Sequence, residues 1–313
     1  MGGGYCQSLV NDNVTVKPFF FKRYVKGIIR LVEYLAPQLL YRLFVHGDYD
    51  VEIAASDGGA AKVISGSTNK RAKKICWVHM DVVDRGSKLK EFRNARTAKQ
   101  IYDKFDLIVP VSNSCKKKFI DKFGDIYPYC VKYNPIPVFD IISKANEAQI
   151  YTYNSEKINF VSVGRLEEQK GFDRLIEACR IVKEKVNKGF HIYIIGAGTK
   201  CAQLNGLIKQ YGLEKDITLL GFQPNPYPYI KGADAFLLSS RDEAFPLVVG
   251  ESIVIGTPVI ATDCSGVSEW LEYGKYGLIM ENSTEGISEG IIKVLNDLEI
   301  LDMYRREIPN AQK

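Results

Sequence analysis

The sequence predicts an α/β protein of two domains, each built on a parallel sheet with helices on both faces. Three observations carry this reading. Short apolar runs alternate with helical segments along most of the chain, the pattern of βαβ units. The length, 313 residues, suffices for two domains that each bury a core. Two close prolines in Tyr133-Asn-Pro-Ile-Pro137, then a polar, weakly patterned stretch from Lys144 to Ser155, mark a join between 138 and 155. The predicted domains are 1–145 and 146–313.

Composition narrows the class. Hydrophobic and charged fractions of 46% and 25% are those of a globular protein in water. No apolar run approaches the eighteen or so residues of a spanning helix, and the opening residues lack a signal-peptide pattern. The seven cysteines contain no C-x-x-C pair. Reduced thiols and a cytoplasmic location are therefore expected, rather than a zinc site or a disulfide framework.

In the first domain, Met1-Gly-Gly-Gly4 invites a phosphate-loop reading. However, too few residues separate it from the strand predicted at Val14 to Phe20 for a βαβ helix, so a flexible terminus is preferred. Tyr24 to Phe44 is an amphipathic helical stretch that Pro37 kinks or divides. It is expected on the sheet, ahead of a membrane surface. Asp48-Tyr-Asp50 has the form of a metal-binding D-x-D but precedes a strand from Val51 to Ala55, and reads as a turn. Further strands are predicted at Lys74 to His79 and Asp106 to Ser112, with helices from Glu91 to Tyr102 and from a Ser112 or Asn113 cap to Phe123. His79 stands at the carboxyl end of a strand, where ligands bind in such sheets, and is a candidate functional residue.

Charge divides the chain. Residues 1–150 carry 24 Lys and Arg against 15 Asp and Glu, a net of +9, and the remainder carries −4. Cations crowd residues 70–118, including Lys70, Arg71, Lys73, Lys74 and Lys116 to Lys118. No nucleic-acid-binding signature accompanies them, so nucleic acid is not an expected partner. An anionic membrane surface is the simpler partner, beside a merely solvated basic face.

The second domain reads as a βα series. Strands are predicted at Ile158 to Val163, His191 to Ile195, Asp216 to Gly221, Ala235 to Ser239 and Pro258 to Ala261, with helices at Phe172 to Val186 and Thr284 to Asn296. Gly196-Ala-Gly198 is not G-x-G-x-x-G, because residue 201 is Cys. The stretch from Ser239 to Ser265 carries the strongest chemical signal. A strand ends in small polar residues, a loop bears Asp242 and Glu243, Pro246 is expected at the first helical position, and Gly256 closes the helix. Glu243 and Glu251 thus bracket a helix start by roughly 8 Å along the axis. Its free N–H groups attract an anion. Arg165 and Lys170, in a loop with Gly164 and Gly171, supply cations for a diphosphate. A phosphate between two hydroxyl-seeking carboxylates suggests a sugar nucleotide.

Val163-Gly-Arg-Leu166, Lys170-Gly171, Gly221-Phe222, the Glu243 and Glu251 pair in E-x7-E, and the run from Gly256 to Gly266 resemble the retaining family 4 glycosyltransferases. The likeness is dense from 158 to 281 and looser from 41 to 137. Asn225-Pro-Tyr-Pro-Tyr229 is similar to a bacterial polysaccharide- and lipopolysaccharide-synthesis branch. The resemblance implies the GT-B fold, two Rossmann-like domains facing across a cleft, with the first incomplete at its start. By it, Gly164, Arg165, Lys170 and the backbone of Phe245, Pro246, Leu247 and Val248 would hold the donor diphosphate. Glu251 would bind the ribose, and Phe222 and Gln223 the base. Glu243 and His79 would serve at the transferred sugar. A hexose would pass from a UDP-sugar to a saccharide or lipid-linked acceptor, with retention and with no metal or other cofactor. Ala244 for a common glycine and Ser252-Ile-Val254 for a small-residue run are tolerable departures. An absent opening unit and an absent final helix after Asn296 are expected departures too. They keep open an inactive relative that only binds nucleotide-sugar or a partner protein, and, more weakly, an epimerase.

Overall fold

The computed structural model describes residues 36–79, 84–85, 88–89, 92, 94–147 and 153–311. The opening glycines, the strand expected at Val14 to Phe20 and most of the stretch from Tyr24 lie outside them. The chain divides into two compact units. The first draws on residues up to Val78 with Val83–Val109 and Lys122–Cys130; the second takes His79–Val82, Pro110–Asp121 and Val131–Lys313.

Helix α1, Pro37–Phe44, opens the described part of the first unit, with Pro37 in its first turn. Strand β1 (Val51–Ala54), helix α2 (Gly59–Ser65) and strand β2 (Lys73–Val78) follow. Two-residue strands β3 (Asp84–Arg85) and β4 (Lys88–Leu89) then form an antiparallel pair that the sequence did not announce. Helix α3 starts at Ala95, four residues later than predicted, because the Asn94 side chain accepts the Thr97 amide and caps it there. Strand β5 (Leu107–Pro110) completes a sheet of order β1-β2-β5, with β1 and β2 parallel. Asp106 ties β5 to β2: its carboxylate accepts the Lys74 amide at 2.8 Å, and its own amide donates to the Lys74 carbonyl at 2.8 Å.

The polar residues before β1 form a bend, with Gly47 and Asp50 at its corners. Asp48 pairs with Arg71, and the Tyr49 carbonyl accepts from Asn69. Lys73 pairs with Asp106 and Lys99 with Asp103. Part of the basic cluster is therefore neutralised locally.

Helix α4 (Asn113–Phe123) carries the chain onward from β5, and α5 (Val138–Ala145) follows. The second unit continues through β6 (Ile158–Val163), α6 (Phe172–Lys185), β7 (Phe190–Ile195), α7 (Cys201–Gln210), β8 (Ile217–Gly221) and α8 (Tyr227–Gly232). Strand β9 (Ala235–Leu238), helix α9 (Leu247–Ile255), strand β10 (Val259–Thr262), the short α10 (Val267–Trp270), strand β11 (Gly277–Met280), α11 (Thr284–Asn296) and α12 (Glu299–Ala311) complete it. Strand β11 and helix α12 extend beyond the predicted elements; a helix does follow Asn296. Helix α5 lies at the expected join but packs on α8 and α9, burying Ile141 and Ala145. Asn225 and Lys231 bind residues at its carboxyl end.

The six strands run parallel in the order β11-β10-β9-β6-β7-β8. Alternate residues build two cores. Phe160, Ile192, Ile194, Leu237 and Ile260 join the face covered by α6, α7 and α11, while Val161, Tyr193, Phe236, Leu238 and Val259 join the face bearing Val249, Ile253 and Ile308. Burial on both faces explains why these strands read as unbroken apolar runs. The chain winds outward from β6 in one direction and from β9 in the other. The switch point, where ligands bind at the carboxyl edge of such sheets, therefore lies between β6 and β9.

Candidate active site

Two loops leave the sheet at the switch point, one after β6 and one after β9. They are laced together by main-chain and side-chain bonds. The Arg241 amide donates to the Gln169 carbonyl at 2.8 Å, the Gln169 side chain to the Asp242 carbonyl at 2.8 Å, and Ser239 Oγ to the Lys170 carbonyl at 2.9 Å. The approach is close enough to require glycine. Gly171 has φ +64°, and a Cβ there would sit 2.2 Å from the Ser239 carbonyl oxygen.

This lacing joins the two candidate residues that the sequence holds 73 positions apart. Lys170 Nζ donates to Glu243 Oε1 at 2.6 Å, and Ser240 Oγ donates to the same oxygen at 2.7 Å. The Lys170 and Glu243 side chains keep only 17% and 11% of their surface accessible. Glu243 Oε2 has no protein partner among the described residues, and a lysine ammonium has three donors, so each group retains capacity for a ligand. The Lys170 stem lies over Gly164, whose missing side chain makes the room.

Behind the loops stands a second layer. Arg241 grips Asp173 through two bonds of 2.7 and 2.6 Å. Burial pushes the Asp173 carboxyl up, but the guanidinium outweighs it and holds the group below its ordinary range. The Thr262 hydroxyl and the Cys264 thiol both donate to the Ser240 carbonyl, and Arg174 donates to that of Ser239.

Helix α9 begins beside this pair. Pro246 is its N-cap, with φ −70° and ψ 105°, one position earlier than the first-turn placement predicted. An extended ψ at a residue of fixed φ serves the cap as readily as the first turn. No side chain caps the helix; the Val249 amide donates to the Pro246 carbonyl at 3.2 Å, which leaves the Leu247 and Val248 amides ahead of it without an intrahelical acceptor. Leu247 is exposed and Val248 half-buried, whereas Phe245 is buried, its ring stacked between Tyr133 and Trp270. Gly256 closes the helix at φ 90°, as the sequence predicts. Glu251, in the second turn, is half-buried. Burial raises its carboxyl, partly offset by the neighbouring Tyr227 hydroxyl.

The other candidates are distributed around this centre. Arg165 is exposed, and its guanidinium makes no hydrogen bond among the described residues. Phe222 and Gln223 follow β8, two strands from β6 and so about 10 Å along the sheet edge. Phe222 is 70% exposed, and Gln223 donates to the Leu220 carbonyl. His79 groups with the second unit and is half-buried, which lowers its imidazole pKa. It shares none of the bonds that join Lys170, Ser240 and Glu243. Among the described residues, no three His, Cys, Asp or Glu side chains gather as a metal site.

Sequence reasoning missed Ser112, Tyr133 and Glu269 as parts of this region. The Ser112 hydroxyl donates to the Ala244 carbonyl at 2.9 Å, and Tyr133 and Glu269 are hydrogen-bonded to one another at 2.8 Å. Their partners lie more than a hundred residues away in the chain, so no local periodicity signals them.

A doubly wound parallel sheet of this strand order, with a cation, a carboxylate and a helix start at its switch point, has the Rossmann-like architecture of one half of the GT-B fold. Solved structures of that fold superpose on the chain. Staphylococcus aureus TarM, crystallised with UDP, gives a TM-score of 0.70 at 18% identity, over 87% of this chain and 54% of that one. Anabaena Alr3699/HepE, crystallised with UDP and glucose, gives 0.69 at 20% identity, over 91% and 77%. The chain belongs to the family of glycosyl transferases group 1, whose family model matches residues 143–313. It is 31% identical over 217 residues to a Campylobacter jejuni N-acetylgalactosamine-N,N'-diacetylbacillosaminyl-diphospho-undecaprenol 4-alpha-N-acetylgalactosaminyltransferase, across 68% of this chain and 57% of that relative. It is also 36% identical over 152 residues to a putative colanic acid biosynthesis glycosyltransferase, WcaL, of Salmonella typhimurium, covering 44% and 37%. The chain thus spans about half the length of the curated relatives it matches.

Proposed function

We propose that this chain carries the donor side of a glycosyltransferase of cell-surface polysaccharide synthesis. It would move a hexose from a UDP-sugar to a saccharide or lipid-linked acceptor, with retention and without a divalent metal. The observation that carries this reading is the Lys170 and Glu243 pair, set beside an uncapped helix start at the switch point. Support also comes from the family match, from relatives named for polysaccharide synthesis, and from fold neighbours crystallised with UDP.

In this reading Lys170, Arg165 and the first N–H groups of α9 face the diphosphate. Charge grows on the leaving phosphate as its bond to the anomeric carbon breaks, and preorganised donors stabilise it. The acceptor oxygen approaches on the same face and forms the new bond to that carbon, while its proton passes to the departing phosphate oxygen. Glu243 Oε2 accepts from a hydroxyl of the transferred sugar, Glu251 from the ribose, and Phe222 and Gln223 flank the base. His79, kept neutral by its lowered pKa, offers a hydrogen bond at the sugar. In this reading the protein would work on a lipid-linked acceptor from the cytoplasm, against an anionic membrane face. The net charge of +9 on residues 1–150 supports that placement.

Calorimetric titration with UDP and a panel of UDP-sugars, followed by turnover with undecaprenyl-linked acceptors, tests the proposal. Saturable UDP binding and a product of the donor's anomeric configuration are expected. Absence of UDP binding, or an inverted product, overturns it.

A further inference from the structure

Glu269 stands on α10, one residue before Trp270, and its carboxylate collects five hydrogen bonds. The Asn113 amide and side chain reach Oε2 at 3.0 and 3.1 Å, and the Tyr133 hydroxyl reaches it at 2.8 Å. The Ser114 amide and hydroxyl each reach Oε1 at 2.8 Å. Burial works against the charge, but these donors outweigh it and hold the carboxyl below its ordinary range. At the start of α4 Ser112 accepts the Cys115 amide at 3.0 Å, and Glu269 accepts the two amides before it, but its bonds from the Ser114 hydroxyl, the Asn113 side chain and Tyr133 lie outside that capping. Glu269 therefore does more than end a helix.

Its partners converge on the loop after β9. Ser112, next to Asn113, donates to the Ala244 carbonyl at 2.9 Å. The Tyr133 ring stacks on Phe245 at 5.1 Å, and Phe245 stacks in turn on Trp270 at 4.5 Å. From another side Gly266, at φ +73°, presses so close that a Cβ would meet the Ala244 oxygen at 2.6 Å and the Phe245 Cα at 2.9 Å. Ala244 and Phe245 are the two residues between Glu243 and the Pro246 cap.

We infer that Glu269 is a positioning residue for Glu243–Pro246. Acting through Ser112 and Tyr133, it sets where the Glu243 carboxylate and the first amides of α9 stand. What that segment binds rests on the donor reading above; the positioning itself does not.

Hydrogen exchange read by mass spectrometry on the full chain, with UDP titration alongside, tests this on wild type, Glu269→Gln and Tyr133→Phe. Glutamine keeps one acceptor oxygen, so at least one main-chain amide, that of Asn113 or of Ser114, loses its acceptor. In Glu269→Gln, peptides covering 242–248 should exchange about ten-fold faster while those covering β6 and β7 are unchanged, and UDP affinity should fall about ten-fold. Tyr133→Phe keeps the ring stack and should show the same local effect at about three-fold. If Glu269→Gln does not fold, Tyr133→Phe decides. Unchanged exchange over 242–248, or an equal rise in β6 and β7, overturns the inference. Wild type that fails to bind UDP removes the donor reading, yet the exchange result still decides the positioning role.

Discussion

Replacing Lys170 by methionine separates the structural from the chemical role of the pair it forms. Methionine keeps a straight stem to lie over Gly164 but leaves Glu243 largely buried with only Ser240 as its partner. Removing one half of a fully buried ion pair costs about 3–5 kcal/mol. Here 17% and 11% of the two side chains remain accessible, so about 2–3 kcal/mol is the appropriate expectation. For a unit of this size that lowers Tm by about 4–10 °C. Glu243→Gln strands the lysine and should behave similarly. The double variant, with neither charge, should recover at least half of the loss, giving a coupling that a double-mutant cycle by thermal denaturation reads directly. Turnover should not recover. Loss of a preorganised cation at a leaving phosphate costs about 10²- to 10³-fold in rate, and the double variant lacks it as well. Additive losses of Tm would refute the coupling, and wild-type turnover in Lys170→Met would refute the chemical role.

Three further expectations follow from the same geometry. Burial raises the Glu251 carboxyl, so its ionised form weakens the fold at neutral pH; that stability is present below the unfolded pKa and lost as pH rises through the folded one. Glu251→Gln should therefore raise Tm at pH 7, with the gain vanishing as pH falls below about 4, while UDP affinity drops. Gly250→Ala would place a Cβ 2.4 Å from Ile136 Cδ1 and 2.5 Å from the Trp270 ring. A loss of about 1–3 kcal/mol and a shifted tryptophan emission are expected, and unchanged emission would count against that packing. If protein cations and helix amides serve the diphosphate, excess EDTA should leave turnover within about two-fold, and loss restored by Mg²⁺ would show the reverse.

The second unit was legible because its strands are buried on both faces. Runs such as Ile192-Tyr-Ile-Ile195 admit few other readings, and five predicted strands appear within about a residue of their observed bounds. Strand β11 escaped because Gly277-Leu-Ile-Met280 is short and follows a turn in which Glu272 and Tyr273 adopt positive φ. Helix α5 read as part of the join because its contacts, with α8 and α9, are distant in sequence. The site divides in the same way. Lys170, Glu243 and Glu251 stand in loops and a helix start with local signatures, whereas Glu269 is a single acid on a four-residue helix. Its meaning resides in Asn113, Ser114 and Tyr133, at least 136 positions away, which only folding brings to it.

The order of the strands has a consequence for how the protein comes into being. Strands β6 and β9 share only two paired positions, Phe160 with Ala235 and Val161 with Phe236. The intervening β7 and β8 wind away to the other side. A nascent chain can build the β6–β8 half early, but the pocket between β6 and β9 waits until the later half docks across that narrow seam. A ligand held there binds the native state and not the unfolded one, so it would draw the docking step forward by mass action. Cellular supply of that ligand would then influence how much of the newly made protein survives to work.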